Sequence, residues 1–306
     1  MAKAEAQRRK PQKKLSQPVL LACILLAATA LLLLDACGLF DKKEPLASTD
    51  VSVHVLDVGQ GDSIYIHAGS TNVLIDAGEA EYGDTVVQYL EQHGVESLDY
   101  VIATHPHSDH IGGLPAVLDA FPVAQFLMSD LPEQSMPTTK TFENLLLAVE
   151  EKNLSITIAK PGTEYPLGDA TLEILGPLGD DYDSLNNFSV VTMLRYGDTR
   201  FLFTGDMEDK AERELLKADA LCHVDVLKVG HHGSSTSTKK KFLDAVTPDY
   251  AVISCGDNSY NHPNADTVER LQKYTEHIYR TDLQGTVVCE TDGRTVTLRT
   301  EREKGE

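Results

Sequence analysis

The segment Thr104-His105-Pro106-His107-Ser108-Asp109-His110 constrains this chain more than any other, because it sets three imidazoles and a carboxylate within six positions. It follows Leu98-Asp99-Tyr100-Val101-Ile102-Ala103, an apolar run that reads as a buried strand. Imidazole nitrogens and carboxylate oxygens are the ligands that borderline divalent cations prefer, and no thiol stands nearby to favour a closed structural site. His105 and His107 share one side of an extended segment, while Asp109 and His110 open the next turn and can face a second cation. A metal site at the carboxyl end of a strand is the expectation.

Along the rest of the chain, strand and helix patterns alternate. Strands are expected at about 51–57, 62–68, 72–76, 99–104, 124–128, 155–158 and 171–175, with helices at 83–93, 111–120 and 140–151. A hairpin over Gly197-Asp198 joins strands 190–196 and 199–204. Helices 208–217, 239–246 and 264–276 then alternate with strands 224–229, 250–254, 278–281, 286–290 and 295–299. The spacing gives two α/β halves with outer helices, and a site between their sheets.

The amino terminus has a different character. Residues 1–17 carry Lys3, Arg8, Arg9, Lys10, Lys13 and Lys14 against the single acid Glu5, and residues 18–34 carry no charge. A basic flank before an apolar stretch predicts a signal or membrane anchor over 18–37, with the rest of the chain outside the cytoplasmic membrane. Leu34-Asp35-Ala36-Cys37 resembles a lipoprotein processing site, although Asp35 departs from the small or apolar residue usual there. Lipid attachment at Cys37 and an uncleaved helix are both left open, and residues 38–50 read as a linker.

Removing the net +5 of residues 1–17 from the total of −20 leaves −25 on residues 18–306. A nucleic-acid binder that grips phosphates through a basic face is excluded by that balance. Cys222, Cys255 and Cys289 are an odd number, so no disulfide is obligatory. No Ser-His-Asp or Cys-His arrangement competes with the metal site, and Gly112-Gly113 is no phosphate loop.

Five further motifs carry a resemblance. They are Val58-Gly59-Gln60-Gly61-Asp62-Ser63, Asn187-x-Ser189-Val190-Val191, Thr204-Gly205-Asp206, His231-His232-Gly233-Ser234 and Asn261-His262-Pro263. With His-x-His-x-Asp-His, they resemble the metallo-β-lactamase fold, and within it the soluble domain of ComEC-type competence proteins. The resemblance implies a four-layer αβ/βα sandwich over residues 51–300. It also implies two divalent cations, Zn²⁺ or Mn²⁺, held by His105, His107, Asp109, His110, Asp206 and His262.

Asp206 ends an apolar strand, where a carboxylate can bridge two cations or cap the helix that follows; the resemblance favours the bridge. His262 precedes Pro263, which restricts it to extended backbone, and the family pattern makes it the last ligand of the second metal. Of His231 and His232, one is expected to face the cleft, with His231 preferred as a catalytic residue and the other bracing the loop. Asn187 stands where many relatives place a third histidine of the first metal, and that weaker oxygen ligand would favour Mn²⁺. Asp62 is expected either to orient a ligand histidine or to serve a turn. Cations so held lower the pKa of a shared water, and Asp109 would accept that water's hydrogen bond.

The expected activity is a metal-dependent phosphodiesterase or nuclease, its substrate a phosphodiester such as DNA. A hydrolase of small esters, lactones or β-lactams and a non-enzymatic metal-dependent binding lipoprotein are the alternatives. No protein partner is legible in the sequence.

Overall fold

The computed structural model describes residues 51–302. The expectations for the basic flank 1–17, the anchor 18–37 and the linker 38–50 lie outside the described residues. Among the described residues, no helix is long and apolar enough to cross a membrane.

The chain opens with β1 (Val51–Val55), β2 (Ile64–Ala68), β3 (Thr71–Ile75), β4 (Leu98–Ala103), β5 (Val123–Met128) and β6 (Ile156–Ile158). A second group follows: β7 (Glu164–Leu167), β8 (Ala170–Gly176), β9 (Val191–Tyr196), β10 (Thr199–Phe203), β11 (Val226–Lys228), β12 (Tyr250–Ile253) and β13 (His277–Arg280). Strands β14 (Val287–Thr291) and β15 (Val296–Thr300) complete the set. They form two sheets, ordered β15-β14-β1-β2-β3-β4-β5-β6 and β13-β12-β11-β10-β9-β8-β7. The expected division into sequential halves is therefore corrected: β14 and β15 return to the first sheet, where β14 pairs antiparallel with β1.

Alternation along the strands builds the layers. Val53, Ile66, Ile75 and Ile102 of the first sheet meet Ile174, Leu194, Phe201 and Val252 of the second in one buried cluster. Side chains of opposite parity, such as Leu74, Val101, Leu202 and Leu227, point outward to a second cluster. There they meet Val86 and Leu90 of helix Gly83–Gln92, Leu145 of helix Lys140–Glu151, and Leu243 and Val246 of helix Lys240–Val246. Helices therefore cover the outer face of each sheet, giving the mixed α/β sandwich expected from the motifs.

Most expected elements fall within two residues of those observed, and helix Lys140–Glu151 matches at both ends because Thr139 caps it by accepting from Phe142 N at 3.3 Å. The helix expected over 264–276 ends at Leu271, where the bonding tightens to Lys273 N on Arg270 O and Tyr274 N on Leu271 O. Strand β7 was not expected; it pairs with β8 across Gly168-Asp169.

Strands β3, β4 and β5 run parallel in one sheet and β10, β11, β12 and β13 in the other. Asp76, Thr104, Asp206 and Ser254 each lie just beyond the carboxyl end of one of these strands, and His231-His232 follow β11. Function-bearing loops gather at such strand ends in α/β proteins.

Glu212 ties the helix Asp209–Lys217 to the next one. Its carboxylate accepts from Thr238 N, and from Lys239 N at 3.1 Å, just before helix Lys240–Val246. Burial raises its pKa to about 7, with the two backbone donors opposing. The folded value exceeds the unfolded one, so across that interval the folded chain keeps a proton that the unfolded chain has released. Stability should therefore fall, by up to about 3 kcal/mol, as pH rises from about 4.5 through 7. Glu212→Gln should flatten that limb in urea titrations taken at a series of pH values.

Candidate metal centre

Asp206 lies at the centre of the site. Its backbone is fixed by its own N–H on Ser189 Oγ at 3.0 Å. Gly205 makes this approach feasible, since it adopts φ +49°, and a Cβ there would meet the Ser189 side chain at 3.0 Å and Thr104 at 3.2 Å. The two carboxylate oxygens then face different neighbours. Oδ1 lies 3.2 Å from His110 Nε2 and 3.5 Å from His232 Nε2, while Oδ2 lies 3.8 Å from His105 Nε2 and 3.7 Å from His231 Nε2.

Two clusters of donor atoms result, Asp109-His110-Asp206-His232 and His105-His107-Asp206, each with its atoms within 4.8 Å of one another. Asp206 belongs to both. In the second cluster, His105 Nε2 and His107 Nδ1 are 3.0 Å apart.

The partners of these imidazoles decide which nitrogen is free. His232 Nδ1 donates to the Ser254 carbonyl at 2.9 Å, leaving Nε2 for the cleft. His110 Nδ1 donates to Asp76 Oδ2 at 2.7 Å, again leaving Nε2. Thr104 spends its hydroxyl proton on Asp76 at 2.6 Å, so it can only accept from His105 Nδ1, 3.2 Å away, and His105 Nε2 is freed too. Supporting hydrogen bonds of this kind fix the tautomer of metal-bound histidines. His110 Nε2, His232 Nε2 and Asp206 Oδ1 are buried and make no hydrogen bond. Converging, unpartnered lone pairs at the end of a set of committed tautomers fit divalent cations.

The electrostatics agree. Burial works against a charged His232, yet Asp206 and Asp62 overcome it and lift its pKa to about 10. Burial likewise opposes charge on His110, which Asp206 and Asp76 nonetheless hold well above the ordinary histidine range. The carboxylates draw positive charge to this spot, which bound cations would supply. Burial alone would raise Asp109, but His110 and His232 bring it down to about 2.

Several expected residues occupy other roles. Both His231 and His232 reach the site, and His232 is the one inside a donor cluster; His231 stands beside it with Nδ1 3.4 Å from Glu208 Oε1. The expectation that His232 only braces the loop is corrected. Both adopt left-handed backbone, at φ 50° and 51°, a conformation costly for a residue with a Cβ, and both rings reach the Asp206 carboxylate.

His262, expected as the last ligand of the second metal, is in neither cluster. It lines the cleft with its ring centroid 5.1 Å from that of His231, and burial, with His231 and His232, pushes its pKa down to about 4. Its Nδ1 is buried and makes no hydrogen bond, while His232 Nε2 is the imidazole nitrogen that stands within the donor cluster.

Asn187 also differs from expectation. Its Oδ1 accepts from Glu208 N and Ala211 N, each at 3.2 Å, so both lone pairs are spent on the start of helix Asp209–Lys217. It cannot ligate a cation, and the ground for preferring Mn²⁺ over Zn²⁺ goes with it. Its neighbour Asn186 lines the cleft instead, with a buried, unpartnered Oδ1.

Asp62 stands beside His232, with Oδ1 3.4 Å from His232 Nδ1, and Lys228 Nζ lies 2.8 Å from both its oxygens. Lys228 was missed, although a lysine inside the run Val224-Asp-Val-Leu-Lys-Val was a visible anomaly. Glu208 was missed too, and nothing local in the sequence marks it. Cys222, Cys255 and Cys289 form no disulfide.

The cleft above this floor holds about 890 Å³. Residues 56–257 match the Metallo-beta-lactamase superfamily model. The chain belongs to the metallo-β-lactamase superfamily. Among curated relatives it is 32% identical to ComE operon protein 3 of Bacillus subtilis, over 79% of this chain and 33% of that protein. It is 31% identical to Recombination protein 2 of Haemophilus influenzae, over 77% of this chain and 28% of that protein. The chain thus spans about a third of the length of these relatives. The metallo-beta-lactamase fold protein YhfI of Bacillus subtilis shares the fold, with TM-score 0.51 at 13% identity over 79% of this chain and 99% of that one.

Three substitutions separate ligand from scaffold. Asp206→Ala should remove most bound metal, because it takes a donor from both clusters, whereas His107→Ala should leave about one equivalent, read by metal analysis after dialysis. Asn187→Ala should lower stability by about 1–2 kcal/mol through the lost cap and leave metal content unchanged.

Proposed function

We propose that the protein is a metal-dependent phosphodiesterase or nuclease that acts outside the cytoplasmic membrane. Asp206 carries the assignment: one carboxylate shared by two donor clusters at the floor of an open cleft suits a dinuclear hydrolase. The likeness to proteins named for competence and recombination supports a phosphodiester substrate, DNA among them. The basic residues 1–17 and the uncharged residues 18–34 support attachment to the membrane, through an N-terminal helix or a lipid on Cys37.

His105, His107 and Asp206 would hold one cation, and Asp109, His110, His232 and Asp206 the other. When bound, they supply Lewis acidity and a water of lowered pKa. The chain's own residues set the geometry. Asp109 is partly exposed and ionised, so its carboxylate can accept a hydrogen bond from the attacking water and fix its direction. Asp76, Ser254 O and Thr104 keep the three ring nitrogens turned inward. His231, a fifth exposed and on the same wall, is placed to hand a proton to the leaving oxygen.

With divalent metal present, the full chain should cleave bis-p-nitrophenyl phosphate and leave nitrocefin intact, and His107→Ala should abolish the turnover. Cleavage of nitrocefin or a lactone alone would move the assignment to the small-ester class. Turnover of none of these by the metal-loaded protein would favour a binding role.

The −25 on residues 18–306 should repel long DNA. Screening acts over about 10 Å at about 0.1 M salt. Cleavage of long DNA should therefore rise or hold steady from low to moderate salt, and a steep fall would reveal a basic groove.

A further inference from the structure

The cleft sets a problem for a phosphodiester substrate. Among the described residues no lysine or arginine lines it, and Glu79, Glu81 and Asp257 add negative charge to its walls. Nucleic-acid chains are ordinarily gripped through their phosphates by basic side chains, and these walls give none of that grip. A polyanion that enters must be held by the metal floor and by something indifferent to phosphate charge.

Aromatic faces provide such a hold. Tyr82 and Tyr260 both line the cleft. Tyr260 is 71% exposed, far more open than the other large apolar side chains of the surface. Its loop is nonetheless shaped by one residue. Asn258 Oδ1 accepts from Tyr260 N and His262 N, both at 3.0 Å, and Asn258 Nδ2 donates to Gly256 O at 2.8 Å and His262 O at 2.7 Å. Every hydrogen-bonding group of that side chain is spent on holding residues 256–262 in one form. The Tyr260 ring lies 5.9 Å from the His262 ring with an interplanar angle of 32°, so the phenol extends the imidazole wall outward from the cleft.

We propose that Tyr260 is a specificity-determining residue that stacks on an unpaired base of a single-stranded nucleic acid while the adjoining phosphodiester rests on the donor clusters. The assignment rests on the phosphodiester function above. Stacking suits this acidic cleft because every base offers a π face whatever the charge of its phosphate. A paired base keeps its faces within the duplex and cannot use Tyr260, so single strands should be preferred.

The test compares the full-length chain with Tyr260→Ala and Tyr260→Phe on short oligothymidylates and on abasic oligomers of equal length. Tyr260→Ala should raise KM for the base-bearing oligomer about ten-fold, leave kcat near wild type, and leave the abasic substrate unaffected. Tyr260→Phe should retain wild-type behaviour, since the ring face is kept. Anisotropy with a labelled phosphorothioate oligomer, in the same metal, gives the same comparison without turnover. An equal effect on base-bearing and abasic oligomers, no effect of Tyr260→Ala, or no binding by wild type would overturn the role of Tyr260. Binding that shows the base-dependent split without cleavage of any diester would instead overturn the phosphodiesterase assignment and leave the stacking role standing.

Discussion

Everything at this site depends on burying carboxylates that cannot all be neutralised by the protein. Asp62, Asp76 and Asp206 are all buried, and Lys228 is packed against Asp62. Lys228 sits two residues after Val226 on the inner face of β11, so its position is set by the same alternation that builds the core. It satisfies Asp62, which in turn touches His232. Asp76 is satisfied by Thr104 and His110. Asp206 is left as the carboxylate with surplus charge, turned toward the imidazoles. A buried pair deprived of one partner is costly, so the scaffold and the metal chemistry are held by one electrostatic account.

The left-handed residues belong to the same arrangement. Asp76, His231 and His232 all take positive φ, and each projects a polar group from a strand end into the site. Such backbone is retained where surrounding structure overdetermines it. Here His231 N donates to Gly205 O at 3.1 Å, and Ala77 N to His110 O at 2.8 Å, so neighbouring loops within each sheet hold one another in place.

Much of this was legible in the sequence, for local reasons. The cluster His105 to His110 announces itself because a strand end fixes the order in which its side chains emerge. The hairpin of β9 and β10 and the helix Lys140–Glu151 follow from turn and cap residues that act over a few positions. What stayed hidden is long-range or depends on side-chain direction. The return of β14 and β15 to the first sheet is decided by pairing with β1, more than 200 residues earlier. Asn186 and Asn187 differ by one position, and only the turn Leu185–Phe188 decides which amide caps a helix and which meets the cleft. His232 and His262 carry the same chemistry, and loop backbone alone puts one in a donor cluster and the other on its wall.

The position of β1 has a mechanical consequence. It is an interior strand, bonded along its length to β2 on one side and to β14 on the other, both antiparallel. Force applied along the axis of β1 would load both ladders in shear, so that their bonds share the tension rather than opening one after another from an edge. Val53 and Val55 are buried between the sheets as well, so the same pull would have to drag core side chains past their neighbours. A pull along β1 therefore meets two ladders and the core at once.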